Sequence, residues 1–303
     1  MSTTTPATAD AVKTAVTETN TFTSDFGLVS LQPCAERSFI RADLTDLLRS
    51  HAGTAPVGML VTVLDFVASD PALVAAAPDW TATQDLALHM AEPVIEGPIV
   101  MDSRLIRVGK KVVVVSADIY DAHGRTDLRD IAAAIDTGSD RPGGPTLAAR
   151  GLVTFARIPR SAAFGADAYT PDQWIGQVRE RAVVPIAEPI HARLGIRAVE
   201  PSSGVLELDR TPFVANQIGT IMGGAQALLI ECAAQAMRPD LLPIDMQMHF
   251  LAQVRVGPAR TYGTVVRDGT DHSVVNIRMV DAGADDMTLT LATVTLARTG
   301  SRH

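Results

Sequence analysis

Cysteine is nearly missing from this chain. The two that occur in 303 residues, Cys34 and Cys232, form no redox pair, zinc-type spacing or disulfide framework, and their scarcity points to a reducing compartment. Positive charge is short as well. Against 34 Asp and Glu stand 26 Lys and Arg, for a formal charge of -8. This argues against general nucleic-acid affinity, because neutralising phosphates takes clustered cations. The N-terminus, Met1-Ser-Thr-Thr-Thr-Pro, lacks a basic region followed by an apolar run and so does not read as a signal peptide. No apolar run in the sequence reads as a membrane span, and Val112–Val115 is only strand-sized. What remains is a globular chain, 47% apolar and 20% charged, long enough for two domains. It is expected to be cytoplasmic, with neither nucleic acid nor membrane as a partner.

One stretch carries the most chemistry: Asn216-Gln-Ile-Gly-Thr-Ile-Met-Gly-Gly224, continuing to Glu231. Ala225, Leu228, Leu229 and Cys232 repeat at the spacing of one buried helix face. Two glycines open that helix and leave free amides at its N-terminus, a place suited to a developing negative charge. Glu231 on the apolar helix is costly to bury without partners or a task.

The chain repeats this unit. At an offset of 166, Ser50, Gly53, Thr54, Gly58 and Asp65 fall on Asn216, Gly219, Thr220, Gly224 and Glu231. At 160, Asp85, His89, Gly97-Pro98, Arg107, Gly109 and Asp121-Ala122 fall on Asp245, His249, Gly257-Pro258, Arg267, Gly269 and Asp281-Ala282. At 141, Val153–Arg157 falls on Val294–Arg298. Each change of offset lies in a loop, so the order of elements is duplicated. Residues 28–44 read as a strand pair, and an apolar helix follows around Met59–Ala68. Strands are expected at 83–92, 99–107, 111–121 and 147–157. The second copy reads as a strand at 196–209, a helix at 223–237 and strands at 244–254, 259–267, 272–281 and 287–298. Each half is thus an α+β unit, an antiparallel sheet wrapped around one apolar helix. The expected division is a disordered tail at 1–24, a first unit at 25–158 with a polar insertion at 123–146, a connector at 159–195 and a second unit at 196–303.

Asn-x-x-Gly-Thr-x-x-Gly-Gly, with an acid seven residues after the last glycine and then a strand and Gly-Pro, resembles the hotdog-fold thioesterases. Within them the pattern is nearest the phenylacetate-pathway (PaaI-like) branch of the 4-hydroxybenzoyl-CoA thioesterase superfamily. The likeness spans about 28–157 and 190–298 and implies two hotdog units in tandem, a double hotdog. It also implies an acyl-CoA thioester as substrate, no metal or other cofactor, and a homo-oligomer. Carried over by position, Asn216 and the amide of Gly223 polarise the thioester carbonyl. Asp65 and Thr83, from the other half, handle the attacking water, or Asp65 attacks directly. Gly224 and Met222 fall at substrate-binding positions, although the family often has His where Met222 stands. The mirror site holds Glu231 with Ser50 in place of Asn, Val57 in place of Gly and Pro243 in place of Ser/Thr. This reads as a weaker second site.

Other readings compete. Val57, Pro243 and Met222 motivate a catalytically decayed protein that binds acyl-CoA or lipid. Hydration or dehydration of enoyl-CoA is disfavoured, because its loop motif is missing. Asp85/His89 and Asp245/His249 read as strand-packing polar pairs, and Cys232 as a core residue. Arg104, Arg107, Lys110, Lys111 and Arg267 read as solvated strand-end charges, with contact to the phosphates of coenzyme A as the alternative.

Overall fold

The computed structural model describes residues 13–15, 21–138, 143–160, 170–181, 186–216 and 218–298. In chain order the first half comprises β1 (Lys13–Ala15), β2 (Val29–Cys34), β3 (Arg37–Ala42), α1 (Val57–Ala76), β4 (Trp80–Met90), β5 (Ile99–Val108), β6 (Val112–Asp121), α2 (Leu128–Asp136) and β7 (Thr146–Ile158). The connector supplies β8 (Val178–Arg181) and α3 (Ile190–Leu194). The second half is β9 (Arg197–Glu200), β10 (Val205–Leu208), α4 (Gly223–Met237), β11 (Leu242–Phe250), β12 (Ala259–Asp268), β13 (His272–Asp281) and β14 (Met287–Ala297).

Together the strands make one sheet in the order β1-β8-β2-β3-β5-β6-β7-β4-β11-β14-β13-β12-β10-β9. Read outward from the β4–β11 seam, the two sides are the same. β4-β7-β6-β5-β3-β2 matches β11-β14-β13-β12-β10-β9, so the sequence repeat is a repeat of topology. It extends to buried carboxylates. Asp121 accepts hydrogen bonds from the amides of Ile95, Glu96 and Gly97 at 2.8–2.9 Å. Asp281 accepts them from Arg255, Val256 and Gly257 at 2.7–2.9 Å. Burial pushes both acids up, but the amide bonds outweigh it and hold them below the ordinary carboxylate value.

The strands form because apolar side chains alternate. In β6, Val113, Val115, Ala117 and Ile119 are buried on the inner face, and Val275, Ile277 and Met279 match them in β13. Burying each large aliphatic side chain contributes roughly 1.5–3 kcal/mol. Such faces need a cover, and α1 and α4 supply it, packed on the sheet and on each other. That is why both helices are apolar nearly all round. They run antiparallel, and the crossing is closed by glycines. A Cβ on Gly58 would lie 2.8 Å from the backbone of Leu228, and one on Gly224 would lie 2.4 Å from the side chain of Thr62.

Several expectations need correction. The supposed tail includes β1, paired in parallel with β8, and a 3-10 turn at Phe22–Phe26 whose two phenyl rings are buried. That turn is tied to the second half and to the connector, since Phe22 donates to the Phe213 carbonyl at 3.0 Å and Asp25 pairs with Arg193 of α3 at 2.7 Å. Residues 1–12 and 16–20 of the expected tail lie outside the described residues. The insertion at 123–146 contains α2, capped by Asp127, which accepts from the amides of Arg129 and Asp130. Leu128 and Ile131 bury its apolar face against Val29, Leu31 and Phe39. The connector adds β8 to the first sheet beside β2. The expected strand at 196–209 is two strands separated by a turn at Pro201–Ser203. Finally, α1 is long and apolar enough to cross a membrane by length and composition. Here it is the core helix of the first half.

Candidate active site

Because α1 and α4 are antiparallel, each helix start lies against the middle of the other helix. Two related clusters result, one at each end of the crossing.

At the first, Thr83 of β4 donates its hydroxyl to Asp65 Oδ1 of α1 at 2.6 Å. The other carboxylate oxygen faces the start of α4, 3.8 Å from where a Cβ on Gly223 would stand. Burial pushes the Asp65 carboxyl above its ordinary value, and the bond from Thr83 pulls it part of the way back. Met222, the N-cap of α4, is extended at φ -57°, ψ 146° and offers no side-chain cap. Among the described residues, no protein acceptor meets the N–H of Gly223, so this amide is one of the orphan donors of a helix start. The preceding loop is closed by Asn216. Its backbone pairs with Thr220 at 2.9 Å, and its Oδ1 accepts from the amides of Ile218 and Thr220 at 3.1 and 3.2 Å. The Asn216 carboxamide oxygen is thus spent within its own loop, and the side chain is exposed.

The second cluster is built from the same positions but wired differently. Glu231, 4% exposed, accepts from the amides of Val57 and Gly58 at 2.9 and 2.8 Å. The acid of α4 therefore caps the start of α1. Burial pushes Glu231 up to about 7, against the pull of the two amide bonds. Pro243 takes the place of Thr83 and provides no hydroxyl. Ser50 shares a hydrogen bond with Thr54 at 3.0 Å. The donor positions here are occupied by the protein's own carboxylate.

A cavity of about 120 Å³ lies at this second cluster, among Ser50, Val57, Met90, Glu231, Gln235 and Pro243. At the first cluster Phe250 stands where the repeat places Met90, and its ring comes within 3.1 Å of a Cβ position on Gly223. Phe250 thus packs beside the start of α4, and Met90 lines the cavity near the start of α1. The repeat at offset 160 carried the signal for Phe250, one residue after the His249 that matches His89.

Gly224, expected to meet substrate, is buried at the helix crossing against Thr62. Met222 is half-buried at the mouth, its N–H donated to the Val214 carbonyl at 2.9 Å. The acid–histidine pairs form across the seam. β4 and β11 are antiparallel with Asp245 opposite His89 and His249 opposite Asp85, so Asp85 bonds His249 and Asp245 lies 3.6 Å from His89. These contacts are on the outer sheet face, away from both clusters. Arg104 pairs with Asp102 at 2.9 Å. Among the described residues, no group of His, Cys, Asp and Glu is arranged to hold a metal ion.

Residues 212–297 match the family model described as the acyl-CoA thioesterase N-terminal domain. A stretch of 97 residues is 23% identical to a protein of Saccharolobus solfataricus named as an esterase, covering 32% of this chain and 69% of that one. Among solved structures, an oleoyl thioesterase of Lactobacillus plantarum superposes with a TM-score of 0.54 at 10% identity, over 92% of this chain and 99% of that one. A protein of Alicyclobacillus acidocaldarius described as having the hot dog fold does so at 0.51 and 10%, over 93% and 98%. The fold is therefore that of the hotdog proteins, with two units in one chain. A thioesterase domain matched across most of the second unit supports a thioester hydrolase built on that fold.

Proposed function

We propose that the protein is an acyl-CoA thioesterase working at one composite site, with Asp65 and Thr83 from the first half and Gly223 and Asn216 from the second. The observation that carries this reading is the contrast between the two helix starts. The Gly223 amide, at the helix start beside Asp65, has no protein acceptor among the described residues, whereas the matching amides of Val57 and Gly58 are taken by Glu231.

The chemistry follows from that layout. Attack on a thioester carbonyl places negative charge on its oxygen, and a preorganised donor there contributes about 3 kcal/mol to the transition state. The Gly223 N–H and the Asn216 carboxamide are the donors. Asp65, held through Oδ1 by Thr83, has Oδ2 free either to take a proton from water or to attack the carbonyl carbon itself. When water attacks, collapse of the tetrahedral intermediate breaks the C–S bond, Asp65 returns its proton to the leaving thiolate, and coenzyme A and the free acid are released. When Asp65 attacks, collapse expels the thiolate and leaves a mixed anhydride on Asp65, which water hydrolyses to the free acid. No step calls for a metal or a further cofactor.

The description of the matched family and the name of the Lactobacillus relative support an acyl thioester substrate. The Phe250 ring packed beside Gly223 favours one competing reading, a protein that binds acyl-CoA without cleaving it. Release of free thiol from a panel of acyl-CoA esters of graded length separates the two. Steady thiol release from at least one ester is the expected result. Stoichiometric binding of intact acyl-CoA with no thiol released would instead establish the binding protein.

A further inference from the structure

The two halves differ in the core just behind their helix starts. In the second half, Gln226 lies one turn into α4 and is 4% exposed, and Thr290 on the inner face of β14 is fully buried. The Thr290 hydroxyl donates to Gln226 Oε1 at 2.6 Å, and Gln226 Nε2 donates to the Ile221 carbonyl at 3.1 Å. The repeat places Leu60 and Ala149 at the same two positions in the first half, both buried. The strand register agrees, because Thr290 lies opposite Phe250 as Ala149 lies opposite Met90.

We propose that Gln226, braced by Thr290, is a positioning residue that aims the Gly223 N–H at the Asp65 site. This rests on the thioesterase reading of that site. The side chain of Gln226 holds the carbonyl of Ile221, and its backbone N–H holds the carbonyl of Met222 at 3.1 Å. The Met222 N–H is fixed to Val214 at 2.9 Å. Peptide units are planar and trans, so a carbonyl pinned in one direction sends the N–H across the same bond the other way. Pinning the Met222 carbonyl therefore directs the Gly223 N–H away from the helix, and pinning the Ile221 carbonyl stops the preceding peptide from rotating. One residue thus clamps the two peptide units ahead of the donor.

The first half shows that the fold does not need this clamp. The Leu60 amide makes the same bond to Pro56 at 3.0 Å, while Leu60 and Ala149 replace the polar pair by apolar contact. That half directs its helix-start amides at Glu231, a fixed protein group, so no alignment toward a ligand is required. The clamp is present where the amide has no protein acceptor among the described residues. A buried amide–hydroxyl pair is costly to leave half satisfied, and replacing both members by apolar groups is close to neutral. Its retention in one half alone marks a role in orientation.

The test compares wild type with Gln226→Leu/Thr290→Ala, which copies the first half, and with Gln226→Glu, which keeps the acceptor for Thr290 but loses the donor to Ile221. Thermal melting and steady-state turnover of an acyl-CoA that the wild type cleaves are measured for each. The expected result is a double variant melting close to wild type, with KM within about twofold and kcat lowered tenfold or more, since a displaced donor loses part of its effect on the transition state. Gln226→Glu is expected to show the same split. A kcat within about twofold of wild type in either folded variant overturns the proposal. So does loss of cooperative melting in both variants, which would assign the pair to core stability. A wild type that cleaves no thioester rejects both readings. If instead wild type is active and Asp65→Asn is dead while the double variant is normal, the positioning role alone fails.

Discussion

At the scale of single residues, the decisive atom in the proposed mechanism is the hydrogen on the Gly223 amide. It can be removed with little other change, because proline is well accepted at the first position of a helix and the preceding Met222 already has the extended backbone that a following proline requires. Gly223→Pro should fold, after a shift of a few tenths of an ångström in the Phe250 ring. It should lower kcat by about 10²–10³, the range for loss of one such donor. Turnover within a few-fold of wild type, with melting unchanged, would mean the charge is stabilised elsewhere. The resemblance to the hotdog thioesterases set Asp65 and Thr83 side by side, and the two are hydrogen-bonded. The burial of Gly224 against Thr62 was not foreshadowed, since a glycine that admits a ligand and a glycine that admits another helix look the same in a sequence. Only packing separates them.

At the scale of elements, Glu231 is a helix cap in trans, a carboxylate of α4 stabilising the start of α1. Its folded value of about 7 lies above the 4.5 of the free side chain. Between those values the folded protein holds more protons than the unfolded chain. The stability contributed is therefore complete below pH 4.5 and is lost as pH rises through about 7, by roughly 3 kcal/mol in all. Urea unfolding at pH 5 and pH 8 should show the wild type losing that much more than Glu231→Gln. Equal losses in the two proteins would remove Glu231 as the cause. The long elements were readable because their periodicity is strong: α4 spans the expected 223–237, and the strands of both halves fall within a few residues of expectation. The elements not foreseen are short and held by tertiary contact. α2 owes its place to Leu128 and Ile131 on the back of β2 and β3. β8 exists by pairing with β2, and the Phe22–Phe26 turn by burying its two rings.

At the scale of the molecule, duplication has given two helix starts and two acids, and the chain has used them unequally. One acid secures the opposite helix; the other, with a hydroxyl beside it, looks onto a helix start left open. Offset arithmetic could reveal the duplication and the substitutions Val57, Ser50 and Pro243. It could not show that Glu231 takes up the helix-start donors of the second cluster, or that a cavity lies beside it. Those depend on side-chain direction. The account stands or falls on that asymmetry, and turnover of one acyl-CoA ester by Asp65→Asn and Glu231→Gln, measured side by side on folded protein, tests it most directly. The predicted result is a loss of several orders of magnitude in Asp65→Asn and at least half of wild-type turnover in Glu231→Gln. Full activity in Asp65→Asn together with its abolition in Glu231→Gln would place the chemistry at the other end of the helix pair and contradict the account.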